Sequence, residues 1–230
     1  TDRYENLMSD IEKGAIKILD SGVSTELERR GCRMGERYWS GRVSIDAFET
    51  LVDTHKSYID AGADIITTNS FATSRLILND SQNLQDIDAI NNKNIEAALT
   101  AREQLGANEI LIAGSISHQV AWQRDGHTFK QQIDIPVSNE DMTQAFDEMI
   151  SFFENGVVDV ILLEMMTIPR RINLLFESLS TSGLPVWCGF SAKRYKKNSP
   201  LCSWHDHSVK FKKILENTSD CNFDVCGIMH

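Results

Sequence analysis

Six short apolar runs, each ending in small, polar or acidic residues, constrain the fold of this 230-residue chain more than any other feature. They are ILDSG at 18–22, DIITTNSF at 64–71, EILIAGSIS at 109–117, DVILLEMM at 159–166, PVWCGFSA at 185–192 and FDVCGIMH at 223–230. Helix-like stretches separate most of them, so the chain is built from repeated strand-then-helix units. In a parallel barrel of such units, functional side chains gather at the carboxyl ends of the strands.

The helices are predicted from apolar periodicity and from residues suited to their ends. Within 138–156, apolar residues recur every three or four positions after a suitable N-cap at Ser138 and before Gly156. Similar patterns predict helices over 44–62, 86–105, 170–182 and 208–217. Helix, glycine turn and buried strand is the repeat of a (β/α)8 barrel, and a doubly wound sheet is the alternative. No G-x-G-x-x-G motif follows the first run, which disfavours a dinucleotide-binding sheet.

Composition indicates one ordinary domain over residues 1–230, with 41% hydrophobic and 24% charged residues. No apolar run approaches the roughly 20 residues that span a bilayer, and the N-terminus lacks a secretory pattern, so we expect a cytoplasmic protein. The formal charge of −10 disfavours nucleic acid and anionic membranes as partners. The five cysteines are odd in number and show no paired spacing, which favours reduced thiols.

Three segments, in order along the chain, carry a family resemblance. They are ILDSGVSTEL at 18–27 with RRG at 29–31, the block from His55 through AGADIITTNSFA at 61–72, and LLEMMT at 162–167. Together they resemble the homocysteine S-methyltransferase family, whose homocysteine-binding domain also occurs in betaine–homocysteine methyltransferase and cobalamin-dependent methionine synthase. The resemblance implies a (β/α)8 barrel that moves a methyl group from a small donor to the thiol of homocysteine, giving methionine.

The resemblance also implies a zinc ion that binds the homocysteine sulfur. A free thiol titrates near 8.5, so only a small part is thiolate at neutral pH, whereas zinc coordination removes the proton. By resemblance, Asp20 and Glu164 hold the ammonium group of homocysteine. Asp20 has the alternative role of capping the turn that follows it. Glu164, in an otherwise apolar run, has the alternative of an internal ion pair with an arginine such as Arg170.

Four further residues are candidates for substrate binding. Thr68, Asn69 and Phe71 are expected to line the amino-acid pocket, although Asn at a strand end also serves as a helix cap. Trp39 lies where the family often has an aromatic residue, and there it would shelter the methyl donor. The alternative for this tryptophan is ordinary packing.

The expected metal ligands are largely missing from the sequence. The family carries three zinc cysteines, and here GIMH at 227–230 places His230 at the position of the first. The other two would be expected beyond the last residue, and one ligand does not make a zinc site. Zinc is therefore expected for the full-length family and is doubtful for this chain. The Cys202-to-His207 loop is an alternative donor cluster, with a polar loop as the simpler interpretation.

Six runs where a barrel needs eight strands lead us to expect a C-terminally truncated barrel with weak or absent activity. Its open edges would be covered by a second copy or by residues 1–15. One alternative is a degenerate barrel that binds an amino acid without zinc chemistry. Another is a lyase or aldolase that uses Glu164 as a base, but no run has a lysine in its strand portion.

Overall fold

The computed structural model describes residues 1–125 and 127–229, and its centre is a curled sheet of parallel strands. The strands are β1 (Ile65–Thr67), β2 (Leu111–Ser117), β3 (Arg124–Asp125), β4 (Thr128–Phe129), β5 (Val160–Met166), β6 (Val186–Lys193), β7 (Cys202–Ser203) and β8 (Val225–Met229). The parallel neighbours are β1, β2, β5, β6 and β8, in that order. β7 pairs antiparallel with the end of β6, and β3 and β4 form a separate hairpin.

The helices surround this sheet: the first packs against its inner face, and the larger ones pack on its outer face. They are α1 (Asp2–Glu12), α2 (Val23–Arg29), α3 (Val43–Asp46), α4 (Phe48–Asp60), α5 (Ser81–Gln85), α6 (Ile87–Gln104), α7 (Asn139–Gly156), α8 (Pro169–Leu179) and α9 (Phe211–Asn217). Parallel strands in sequential order with helices between them form an incomplete (β/α)8-type barrel, as the sequence predicted. In the described part of the chain, no helix is long and apolar enough to cross a membrane.

The first apolar run is less regular than predicted. Only Leu19 pairs with the sheet, through a single parallel bridge to Ile65, so this segment extends the sheet beyond β1 without forming a strand of its own. Within the described residues, 1–125 and 127–229, no backbone pairing joins this segment to β8. The barrel is therefore open on that side, and Ile228 of β8 is 66% exposed.

The N-terminal segment has a role different from the expected one. Tyr4 and Leu7 of α1 pack into the interior of the sheet, where Tyr4 Oη accepts a hydrogen bond from Trp187 Nε1 at 3.1 Å. Residues 2–12 thus close the bottom of the barrel interior. The open side is not covered by them, since Cys226 and Gly227 of β8 remain exposed.

Four of the predicted helices differ in detail from the structure. The one expected over 170–182 ends at Leu179, and the one expected over 208–217 begins at Phe211. The expected helix over 44–62 is split at Ala47, and Ser44 lies within α3, where its hydroxyl donates to Ile90 O of α6 at 2.9 Å. The predicted N-cap of α7 is confirmed, since Ser138 Oγ accepts from Asp141 N. At the other end Gly156 stays helical and Val157 takes the left-handed conformation, with φ 60°.

Candidate functional site

A cavity of about 450 Å³ lies at the carboxyl ends of the strands, on the open side of the barrel. We call it the carboxylate cavity. The six side chains that the sequence predicted for substrate binding all line it: Asp20, Trp39, Thr68, Asn69, Phe71 and Glu164. They come from four separate segments of the chain, and the fold brings them together because parallel strand ends meet at one edge of the sheet.

Asp20 reaches this cavity directly after the bridge at Leu19. Its carboxylate accepts hydrogen bonds from Thr67 N at 2.8 Å and Thr67 Oγ1 at 2.7 Å, so it bonds to β1 and does not cap its own turn. Burial raises the pKa of Asp20 to about 7, and the negative charge of Glu164 adds to this rise. The two hydrogen bonds from Thr67 act in the opposite direction and lower the pKa. Near neutral pH the side chain is therefore poised between its two protonation states.

Glu164 reaches the cavity through an irregularity in β5. The register between β5 and β6 shifts between Leu163 and Met166, and Met165 has a left-handed φ of 54°. In a regular strand consecutive side chains face opposite ways, whereas this bulge lets Glu164 and Met165 line the same cavity. The sequence pattern gives no sign of the bulge, so Met165 was missed as a site residue.

The environment of Glu164 excludes the internal ion pair considered from the sequence. Ser115 Oγ donates a hydrogen bond to Glu164 Oε1, while the guanidinium of Arg170 donates to Asn139 Oδ1 and Val137 O. Burial raises the pKa of Glu164 above its ordinary value, and the Ser115 bond acts against that rise. Across residues 1–125 and 127–229, neither Glu164 nor Asp20 forms a salt bridge. Two buried carboxyls of raised pKa that have no ion-pair partner in this part of the chain favour a positively charged ligand.

Asn69 and Thr68 are largely engaged by the protein itself. The Asn69 amide accepts from Ser40 Oγ at 2.7 Å and donates to Ser40 O at 3.0 Å, which fixes the residue next to Trp39. Thr68 Oγ1 accepts from Ser115 N at 3.1 Å and bonds Ser70 Oγ. These side chains shape the cavity wall and hold its neighbours. No helix is capped by Asn69 in the described part of the chain, so that alternative was wrong.

A second cavity of about 490 Å³ adjoins the first, and we call it the aromatic cavity. Its ring-bearing side chains are Tyr38, Trp39, Phe71, Trp122, Trp204 and His205. Trp39, Phe71 and Met165 line both cavities and so form the partition between them. Trp39, like Met165, has a left-handed backbone, with φ 45°, and it is 42% exposed. Strained residues of this kind cluster at functional sites.

The described residues do not fit the metal site that the resemblance implies. Within 1–125 and 127–229, no three His, Cys, Asp or Glu side chains come together as a metal site would need. Cys226 pairs in register with Cys188, which packs under the helices, and it lines a groove with Phe211 on that outer side. In the Cys202-to-His207 loop, His207 packs against Tyr195 and His205 against Trp122. His230 lies outside the described residues.

The sequence matches the family model described as homocysteine S-methyltransferase over residues 17–219. A selenocysteine Se-methyltransferase of Brassica oleracea var. italica is 26% identical over 79% of this chain and 57% of its own length. Homocysteine S-methyltransferase 1 of the same plant is 24% identical over 95% of this chain and 69% of its own. The chain thus spans 57% and 69% of the length of these two relatives.

The fold is similar to a solved structure. The homocysteine methyltransferase MmuM from Escherichia coli, in its metallated form, superposes with a TM-score of 0.75 at 22% identity. The match covers 96% of this chain and 77% of that one. At this level of identity, the likeness establishes the barrel fold.

Proposed function

The chain belongs to the homocysteine S-methyltransferase family, and from that premise we propose that its protein transfers a methyl group from a small cationic donor to the thiol of homocysteine. The observation that carries the proposal is the pair of carboxyls, Asp20 and Glu164, which share one cavity and form no salt bridge with any residue that the structure describes. The products would be methionine and the demethylated donor.

Homocysteine, the methyl acceptor, matches the carboxylate cavity in charge. A homocysteine ammonium placed between Asp20 and Glu164 would donate hydrogen bonds to both carboxylates and offset their negative charges. Ser115 and Thr67 already hold the carboxylates in place, so little ordering is needed when the ligand enters. With the ammonium bound there, the thiol would extend along a wall that includes Trp39, Phe71 and Met165.

The aromatic side chains of the second cavity are suited to bind a cationic methyl donor. Sulfonium and quaternary ammonium groups are attracted to aromatic faces, and methyl groups on such cations are the ones a thiolate can remove. The shared partition would place the two ligands side by side, so that the new S–CH3 bond forms as the donor's bond to that methyl breaks. Tryptophan and phenylalanine at the partition would also exclude water from the reacting atoms.

Zinc would supply thiolate formation in this family, and the described residues do not provide a set of donors for it. Metal analysis of the purified protein, together with assays with and without a chelator, tests whether the protein binds zinc.

Calorimetric titration of homocysteine into wild type, Glu164→Gln and the control Glu177→Gln tests the proposal. Glutamine can still accept the Ser115 bond but loses the charge, and a hydrogen bond to a charged group contributes about 1.5–3 kcal/mol. We expect roughly 10- to 100-fold weaker binding by Glu164→Gln. Glu177 is exposed on α8, away from the cavity lining, so its variant should bind as wild type does.

Two outcomes count against the proposal. Equal affinity of wild type and Glu164→Gln would remove the carboxylate pair from ligand binding. Tight homocysteine binding without methyl transfer, when zinc and several onium donors are supplied, would favour the barrel that binds an amino acid and does no chemistry.

We also propose that a second copy of the chain covers the open side of the barrel. The exposed surface of β8 and its flank includes Ile228 at 66% and Leu215 at 43% exposure, which supports an apolar contact there. Light scattering after size-exclusion chromatography tests this, and a monomer at micromolar concentration would contradict it.

A further inference from the structure

We propose that His118 is a positioning residue, whose neutral imidazole holds the segment after Glu164 and Met165 so that both side chains face the shared cavities. The contribution to methyl transfer rests on the proposed function. The positional contribution rests on geometry alone, and the two can be tested separately.

His118 follows β2 directly and is fully buried. Its Nε2 accepts hydrogen bonds from the backbone N–H groups of Thr167 at 2.9 Å and Ile168 at 3.1 Å. These two donors immediately precede α8, whose first residue is Pro169, and the first N–H groups around a helix start have no intrahelical carbonyl to bond. The imidazole therefore caps this helix start from a neighbouring strand-and-helix unit.

The capped segment is the one that follows the β5 bulge. Glu164 and Met165 are separated from Thr167 by at most two residues, and Met165 holds a left-handed φ of 54° that its surroundings must maintain. The second restraint on this segment is Ser203 Oγ of β7, which donates to Thr167 O at 3.0 Å. β2 and β7 thus hold the bulge from two sides, and His118 supplies the β2 side.

The imidazole accepts through Nε2 only when it is neutral, with its proton on Nδ1. Burial chiefly, followed by the positive charge of Arg171 and by the neighbouring His205, lowers the pKa of His118 well below its ordinary value. Arg171 Nη1 also donates to the backbone carbonyl of His118 at 3.1 Å, which fixes the main chain at this residue. The neighbours therefore keep the ring in the form that accepts both N–H groups.

Two variants separate the acceptor from the volume of the ring. His118→Gln places Oε1 close to the position of Nε2 and can still accept, whereas His118→Leu fills similar space without an acceptor. His118→Asn serves where leucine impairs folding, since its Oδ1 is too short to reach the two N–H groups. The exposed His207→Leu is the matched control.

Two measurements need no substrate. Amide hydrogen exchange of Thr167 and Ile168 should be at least tenfold faster in His118→Leu and His118→Asn, and close to wild type in His118→Gln. The NMR titration midpoint of the Glu164 carboxyl should move in the first two variants and stay in place in the third. Unchanged exchange and an unchanged midpoint in His118→Leu and His118→Asn would overturn the proposal.

The third measurement is homocysteine binding and turnover. We expect a roughly tenfold rise in KM for His118→Leu and His118→Asn at a similar Tm, with recovery in His118→Gln. A glutamine variant as impaired as the leucine variant would also overturn the proposal. If the wild-type protein does not bind homocysteine, the proposed function fails. Amide hydrogen exchange and the Glu164 titration would then still test whether His118 positions the segment.

Discussion

Asp20 and Glu164 share one cavity and form no salt bridge within the described ranges 1–125 and 127–229. Burial of the Asp20 carboxyl therefore lowers the stability of the folded state by an amount that depends on pH. The pKa of Asp20 is raised to about 7 chiefly by burial, so the folded protein holds a proton that the unfolded chain releases near pH 4. Between these values the folded state binds more protons than the unfolded state. The Asp20 contribution to stability is therefore present at pH 4 and is lost as the pH rises to about 7.

The first prediction follows from that sign. Asp20→Asn removes the titrating group, so its stability relative to wild type should increase by several degrees in Tm between pH 4.5 and 7.5. The difference between the two proteins is the quantity to measure, because buried His55, with its pKa lowered to about 4 by burial, gives wild type the opposite slope. Thermal denaturation across this range checks it, and a difference that does not vary with pH would refute it.

At the residue scale, the side chains that contact a ligand could be predicted and their supports could not. Asp20 and Glu164 stand out in the sequence as acids at the ends of apolar runs. Thr67, Ser115 and His118 act through hydrogen bonds to residues that lie 47 to 50 positions away. Such pairings depend on strand register, which one sequence without its fold does not define.

Helix α7 shows which features of an element are local. Ser138 and the apolar periodicity predicted its start and its buried face. Its end was misplaced, because Gly156 is the last residue of the helix and allows close approach to α6: a Cβ there would lie 2.6 Å from Ile95 Cδ1. The left-handed position falls on Val157 instead, and a β-branched residue is poorly suited to it.

The second prediction concerns the end of α7. Val157→Gly should raise the free energy of unfolding by about 1 kcal/mol, since the left-handed conformation costs roughly 1–2 kcal/mol for a residue with a Cβ, and glycine loses part of that gain in backbone entropy. Val157 is 61% exposed, so little packing is lost. Urea denaturation checks the value. Val157→Ala, which keeps the Cβ, should gain less, and equal gains in both variants would contradict the explanation.

The third prediction concerns the start of the same helix. Ser138→Ala should lower the free energy of unfolding by about 1 kcal/mol, because Asp141 N loses its side-chain acceptor. Ser138→Asp, which restores an acceptor, should recover most of that loss in the same urea experiment. An alanine variant as stable as wild type would show that the cap contributes nothing measurable.

On the scale of the whole molecule, Asp159 joins parts of the chain that are far apart in sequence. Its buried carboxylate accepts from Thr1 Oγ1, Arg3 Nε and Arg102 Nη1, and also from Ile112 N of β2. It therefore ties the N-terminal segment and α6 to the bottom of the sheet. The sequence predicted the barrel class from its repeats, but contacts across more than 150 positions leave no local pattern.

The fourth prediction tests this junction. Asp159→Asn keeps an acceptor for Ile112 N but leaves the two arginines without their charge partner, and breaking a buried ion pair costs about 3–5 kcal/mol. We expect a loss of this order in thermal or urea denaturation. The control Asp10→Asn breaks a more exposed pair with Lys17 and should cost less than about 1 kcal/mol. Similar losses in both variants would argue against Asp159 as a central junction.

The partition formed by Trp39, Phe71 and Met165 belongs to both cavities, and this limits how the protein can change over evolution or in the laboratory. A substitution that enlarges one chamber reshapes the other through the same three side chains. Selectivity for the ligand of one chamber therefore changes together with selectivity for the ligand of the other. Efforts to broaden the range of accepted compounds would do better to begin at walls that belong to a single chamber, such as Trp204.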